Sequence, residues 1–184
     1  GMMKTLVNDD GGNFDKVELI PSNVTDIVAG LKSNVDSVWV YYGWDGIAAE
    51  NAGLQTNFIP FIDSPPEFDY YSPILVANND FLKNNSETAK KALAAISKGY
   101  TYAAEHPEEA ADILLKSAPE LEGKKEFVKK SQEYLSKQYI ADADRFGVID
   151  GARWNKFYKW LADNKLIDQP IPENFGFSND YLPQ

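Results

Sequence analysis

Cysteine is absent from this 184-residue chain. That excludes a disulfide, a thiolate metal site and a cysteine nucleophile. Histidine is nearly absent: His106 stands alone, immediately before Pro107, a common place for a residue that caps a helix. With one His and no Cys, a zinc site would have to be carboxylate-rich, an atypical ligand set. No apolar run approaches the roughly 20 residues of a membrane span. Nor is a signal peptide visible, since Met2-Met3-Lys4 leads through Thr5-Leu6-Val7 into polar Asn8-Asp9-Asp10. Gly1 ahead of Met2 reads as a scar of tag removal, with the frame beginning at Met2. Phosphate-cradling glycine loops and nucleophile elbows are missing as well. So are internal repeats and low-complexity segments.

Positive charge is in deficit. Against 28 Asp and Glu there are 18 Lys and Arg, a formal net charge of −10. Nucleic acid as a partner is disfavoured, because phosphates need Lys and Arg to displace their counterions. Anionic membrane surfaces are disfavoured on the same ground. What the chain does hold in quantity is aromatic: 10 Tyr, 10 Phe and 4 Trp. Most such rings pack in cores, but Tyr and Trp also offer flat faces with a polar handle to a planar ligand.

Along the chain, Met2 to Val7 reads as the end of a helix stopped at Asp10-Gly11-Gly12. Val17 to Ile20 reads as a short strand ended by Pro21, after which Ser22 or Asn23 caps a helix over Thr25 to Lys32. The run Val38-Trp39-Val40-Tyr41-Tyr42 predicts a strand covered on both faces. A turn at Gly43 to Gly46, a helix from Ile47 to Ala52 closed by Gly53, and a strand over Asn57 to Ile62 follow. This β-α-β-α-β order predicts a parallel α/β layer. Asp63-Ser64-Pro65-Pro66-Glu67 is the clearest boundary, and Tyr71 to Ala77 reads as one more strand. Beyond it, helices are predicted over Glu87 to Glu105, Pro107 to Ser117, Lys124 to Gln138 and Gly151 to Asn164, with an irregular tail from Gln169.

Catalytic patterns are scarce. Glu108-Glu109 and Asp142/Asp144 are close carboxylates in solvated-looking contexts, and acid–base work needs burial or mutual repulsion to tune such pairs. A binding pattern is richer. Tyr41, Tyr42 and Trp44 fall at the end of a predicted parallel strand and in its turn, where ligands collect on open α/β sheets. Tyr70 and Tyr71 fall just after the boundary. These rings suit a flat heteroaromatic ligand, and Asp45, Glu50 and Asp69 can accept from an exocyclic amine. The other reading places Tyr41 under a helix and leaves the remaining rings on the surface.

At this point the residues carry a resemblance. VDSVWVYYGWDGIAAENAG (Val35 to Gly53) resembles the second-lobe signature of thiamine-pyrimidine-type solute-binding proteins, a superfamily that includes sulfonate, nitrate and taurine binders. DYYSPILVANNDFL (Asp69 to Leu82) is similar to their return strand through the hinge, and KGYTYAAEHPEEAADILLKSAPEL (Lys98 to Leu121) to a helical pair. RWNKFYKWLADNKLI and GFSNDYLP resemble the final helix and closing motif, so the likeness runs in order over nearly the whole chain.

The resemblance implies a periplasmic-binding-protein fold of the second type, two α/β lobes closing on a small ligand that is passed to an ABC permease. It implies that residues 1–66 are a remnant of the second lobe and that 67–184 hold the hinge-return strand and C-terminal helices. The family's N-terminal portion, with its lipoprotein signal and half of the cleft, is expected to be missing here. A full-length parent is then extracytoplasmic, with no cofactor and no enzyme activity. The expected ligand is a thiamine pyrimidine precursor, held by Tyr41, Tyr42, Trp44, Asp45, Glu50, Asp69, Tyr70 and Tyr71. Sulfonate, nitrate or taurine binding is the alternative, although anions are more naturally met by Ser, Thr and backbone amides. A fragment that only self-associates is a third reading, since uncovered apolar faces invite a homo-oligomer. Fungal thiamine-pyrimidine synthases also resemble these binders, but they depend on a cysteine-rich iron motif that this chain lacks.

Overall fold

The computed structural model describes residues 1–20, 26–33 and 35–183. Among the described residues, eight α-helices carry the regular structure: α1 (Met2–Asp9), α2 (Ile27–Lys32), α3 (Ile47–Asn51), α4 (Asn79–Asn84), α5 (Ser86–Glu105), α6 (Pro107–Ser117), α7 (Lys125–Ser136) and α8 (Gly151–Asp163). The chain forms two compact units. One gathers Gly1–Asn23, Ile59–Ala77 and Ile149–Asn179; the other gathers Val24–Phe58, Asn78–Val148 and Asp180–Gln184.

The first unit is built on aromatic rings from distant segments. Met2, Phe68 and Trp160 are its buried centre, with Leu6, Phe61, Tyr70, Phe157 and Leu161 packed around them. Phe68 meets the Trp160 ring edge-on at 4.9 Å, and Tyr70 stacks on Phe157 at 4.3 Å. Such pairs add stabilisation beyond their buried area. Helix α8 starts where the Asp150 carboxylate accepts from the Arg153 backbone N–H at 2.7 Å, a side-chain cap for an otherwise orphan donor. The irregular segment after α8 is tied back by side chains. Trp154 Nε1 donates to the Phe175 carbonyl at 3.0 Å, and Asn179 exchanges two hydrogen bonds with the Ile149 backbone.

The second unit rests on α6 against α7. Ala111, Leu121 and Val128 are buried there, flanked by Leu115, Ala118 and Phe127. Pro107 opens α6 at a position whose N–H has no helical partner anyway; Glu108 and Glu109 follow in the first turn, and Lys116 lies in the last. All suit the polarity of the helix. Helix α5 joins through Gln132, whose Nε2 donates to the Ala103 carbonyl at 3.0 Å.

The predicted helices stand, with ends moved by a residue or two, but α4 is not among them: Asn78-Asn79-Asp80 reads as a turn, and the structure makes Asn78 the cap of a short helix. Gly11 takes φ +77° just beyond α1, and Gly53 takes φ +72° just beyond α3, the left-handed conformation that ends such helices. For α2 the cap is Asp26, which accepts from Ala29 N–H. The expected strand end at Pro21, caps Ser22 and Asn23, and start at Thr25 lie outside the described residues.

The strands do not stand. Among the described residues there is no strand and no sheet, so the expected α/β layer of periplasmic-binding-protein type II is overturned. Residues 17–20 and 37–41 run without regular structure, and so do 71–77 apart from a bend. Residues 57–62 end in a 3₁₀ turn, Phe61–Asp63. The physical reason is that a strand exists only through a hydrogen-bonded neighbour, and β-propensity mostly reports a fit to a half-buried pleated surface. These runs have the composition without the neighbour. Val76 is 84% exposed, Ile62 68%, Leu19 67% and Tyr41 61%, so the predicted two-sided cover of the Val38 to Tyr42 run is also wrong.

Candidate functional site

Tyr41, Tyr42, Trp44, Asp45 and Glu50 all fall in the second unit. Tyr42–Gly46 forms a single π-helical turn that runs directly into α3. Turns of this kind are uncommon and recur at functional sites. Gly43 is needed there: a Cβ at this position would lie 2.5 Å from Leu135 Cδ2. Its carbonyl accepts from the buried Ser131 hydroxyl of α7, so the turn is seated by one polar contact and one close approach.

The turn sorts its residues. Tyr42 points into the unit, its ring 4.5 Å from Phe58 and 4.8 Å from Tyr134. Its hydroxyl donates to Glu50, and Lys130 Nζ approaches the other Glu50 oxygen at 3.1 Å. The hydrogen bond to Glu50, with burial adding to it, pushes the Tyr42 phenol up to about 12. The same bond, seconded by Lys130, holds the Glu50 carboxyl below its ordinary value. Trp44 rests edge-on against Phe127 at 4.5 Å while remaining 40% exposed. Tyr41 is the most exposed ring of the group, and Asp45 Oδ2 accepts from the Tyr41 N–H at 3.4 Å. Tyr42 and Glu50 therefore brace the turn. Tyr41, Trp44 and Asp45 are what it presents.

Asp69, Tyr70 and Tyr71 fall in the first unit. Tyr70 has one face stacked on Phe157. Asp69 receives two donors from Arg153, Nε to its carbonyl at 2.9 Å and Nη2 to its carboxylate. The same guanidinium lies 4.2 Å from the centroid of the Tyr71 ring, within cation–π range. Tyr71 Oη in turn accepts from the Asp150 N–H at 2.9 Å. Arg153 is the functional candidate that sequence reasoning missed. It lies 84 residues from Asp69, and no local pattern connects positions so far apart. Lys130 and Ser131 escaped for the same reason.

Elsewhere the features are less suited to a ring. An open groove of about 640 Å³ in the second unit is lined by Asn51, Pro107, Glu108, Glu126, Lys129, Lys130 and Glu133, with no aromatic face to stack on. His106 precedes α6 without a side-chain capping bond, its ring 4.6 Å from that of Tyr102. Tyr102 instead donates to Glu109, which raises the Tyr102 phenol. Among the described residues no group of three His, Asp or Glu side chains is placed to hold a metal ion. No helix among them is long and apolar enough to cross a membrane.

The chain is 24% identical over 183 residues to the formylaminopyrimidine-binding protein of Halalkalibacterium halodurans. That match takes in 97% of this chain and 54% of the relative, so the chain spans about half the length of the curated relative it matches. A family model described as NMT1/THI5 like matches residues 1–110, more than half of the chain. On that match, the chain belongs to the NMT1/THI5-like family.

Proposed function

We propose that this chain is part of a solute-binding protein for a small aminopyrimidine, a thiamine precursor in chemical class, serving an ABC importer. The observation that carries the reading is the Tyr41–Asp45 turn. It presents the Tyr41 and Trp44 rings to solvent beside the Asp45 carboxylate, on a backbone fixed by Ser131 and Leu135. Rings stack on a planar heterocycle, and a carboxylate accepts from its exocyclic amine. The formylaminopyrimidine ligand named for the relative has this chemistry.

An anionic ligand fits less well. Asp45 on this turn, Glu50 on α3 and Asp69 in the other unit repel a sulfonate or nitrate. We read the chain as a binder and not an enzyme, because the relative it matches is a binding protein and the hydroxyl of these clusters that meets a carboxylate, Tyr42 on Glu50, is held protonated and not activated as a nucleophile. A full-length parent working with a permease acts outside the cytoplasm. Self-association is part of the same reading, supported by the exposed Ile74-Leu75-Val76 run. A strictly monomeric mass by light scattering contradicts that part alone.

The test is a Trp-fluorescence titration with formylaminopyrimidine, hydroxymethylpyrimidine, taurine and nitrate. A saturable change with the pyrimidines, weakened in Tyr41→Ala and lost in Trp44→Phe, is the expected outcome. Saturation with taurine or nitrate in place of the pyrimidines overturns it.

A further inference from the structure

We infer that Arg153 is a positioning residue for pyrimidine recognition, setting Asp69 and Tyr71 as an acceptor–donor pair. The inference rests on the binding function proposed above and assigns a role to a residue outside the Tyr41–Asp45 turn.

The geometry is a closed circuit. Arg153 Nε and Nη2 fork onto the carbonyl and carboxylate of Asp69, while the guanidinium carbon lies over the Tyr71 ring, 4.2 Å from its centroid. Tyr71 Oη accepts from the Asp150 N–H, and the Asp150 carboxylate accepts from the Arg153 N–H. One side chain thereby fixes a carboxylate and a phenol through a rigid planar group, a task for which Lys has no equivalent.

Hydrogen-bonding capacity remains unused on both groups. Arg153 occupies Asp69 Oδ1, and no described residue donates to Oδ2. Tyr71 Oη already accepts, so its own O–H proton is left to donate. An aminopyrimidine presents the complementary pair, an exocyclic N–H beside a ring nitrogen acceptor. The side chains of Arg153 and Asp69 are 35% and 36% exposed, open enough for a solute to reach.

A purely structural role explains this arrangement poorly. The buried centre of the unit is Met2, Phe68 and Trp160, and α8 already has its Asp150 cap. Partly exposed ion pairs add little stability. The circuit costs ordering and returns geometry.

The experiment compares Kd for formylaminopyrimidine and for an analogue lacking the exocyclic amine, by calorimetry on the full chain. Wild type is expected to prefer the amine-bearing ligand. Arg153→Met should weaken that ligand by about tenfold or more, equivalent to ~1.4 kcal/mol, and bring the two Kd values together. Arg153→Lys keeps the charge without the fork and should fall between. Should Arg153→Met fail to fold, as judged by circular dichroism, the Kd ratio of Arg153→Lys decides. A folded variant with a lower Tm but the wild-type Kd ratio overturns the inference while leaving the binding function intact. Wild-type silence towards both pyrimidines overturns the two together.

Discussion

The buried clusters of the two units are built from different materials. In the first, Phe61, Phe68, Tyr70, Phe157 and Trp160 interlock from two separate stretches of chain. In the second, small residues let helices approach: Ala111 and Val128 are buried between α6 and α7, and Ser131 reaches the Gly43 carbonyl. The contrast teaches where aromatic surplus goes. The first unit spends its rings on its own core and keeps Asp69 and Tyr71 in place with a guanidinium. The second buries mainly aliphatic side chains between α6 and α7 and leaves Tyr41 and Trp44 partly exposed to solvent.

The sharpest way to break this contrast is to hollow out each core. Phe68→Ala should cost about 3–5 kcal/mol and Ile47→Ala about 2–5 kcal/mol, both being 2% exposed or less. Native-state hydrogen exchange should show the Phe68 variant losing protection in α8 and the Ile47 variant losing it in α3. Equal loss in both helices from either substitution would erase the distinction between the units.

A smaller effect probes the polar seat of the turn. Ser131→Ala leaves the Gly43 carbonyl without its donor in a buried setting, at a cost of about 1–3 kcal/mol. Trp44 emission should shift as the turn loosens; an unchanged spectrum and stability would show that Leu135 packing alone holds it.

Capping comes next. Asp150→Ala removes the α8 cap, the carboxylate that accepts from the Arg153 N–H, worth ~1 kcal/mol. Its loss should be felt in the first unit, and urea unfolding measures it.

Smallest is a pH effect confined to the second unit. Tyr42 is held protonated by Glu50 well above its usual 10.0, at about 12. The folded chain then binds this proton more tightly than the unfolded chain. Its stabilising contribution is complete below pH 10 and lost as pH rises towards 12. Tyr42→Phe should flatten that part of the stability profile, and an unaltered slope would assign it to other tyrosines.

Helices were legible because their signals are local. Pro107 with Glu108 and Glu109, the glycines after α1 and α3, and the stripe of Trp154, Phe157, Tyr158 and Leu161 each act within one or two turns. The strands misled because Val38 to Tyr42 and Tyr71 to Ala77 have strand composition, while pairing depends on a partner that composition does not encode. The site was half legible for a related reason. A Tyr-Tyr-Gly-Trp-Asp run announces rings and a carboxylate, but nothing in it distinguishes Tyr42, locked on Glu50 and Phe58, from exposed Tyr41. The Arg153 fork onto Asp69 joins residues that only the folded chain brings together.

The most direct measurement is a backbone amide NMR titration of the whole chain with formylaminopyrimidine. Saturable shifts centred on residues 41–45 and 69–71, with α6 and its groove residues still, are the predicted result. Shifts confined to the groove around Glu108 and Lys129, or no shifts at saturating ligand, would contradict pyrimidine binding by the aromatic–carboxylate clusters.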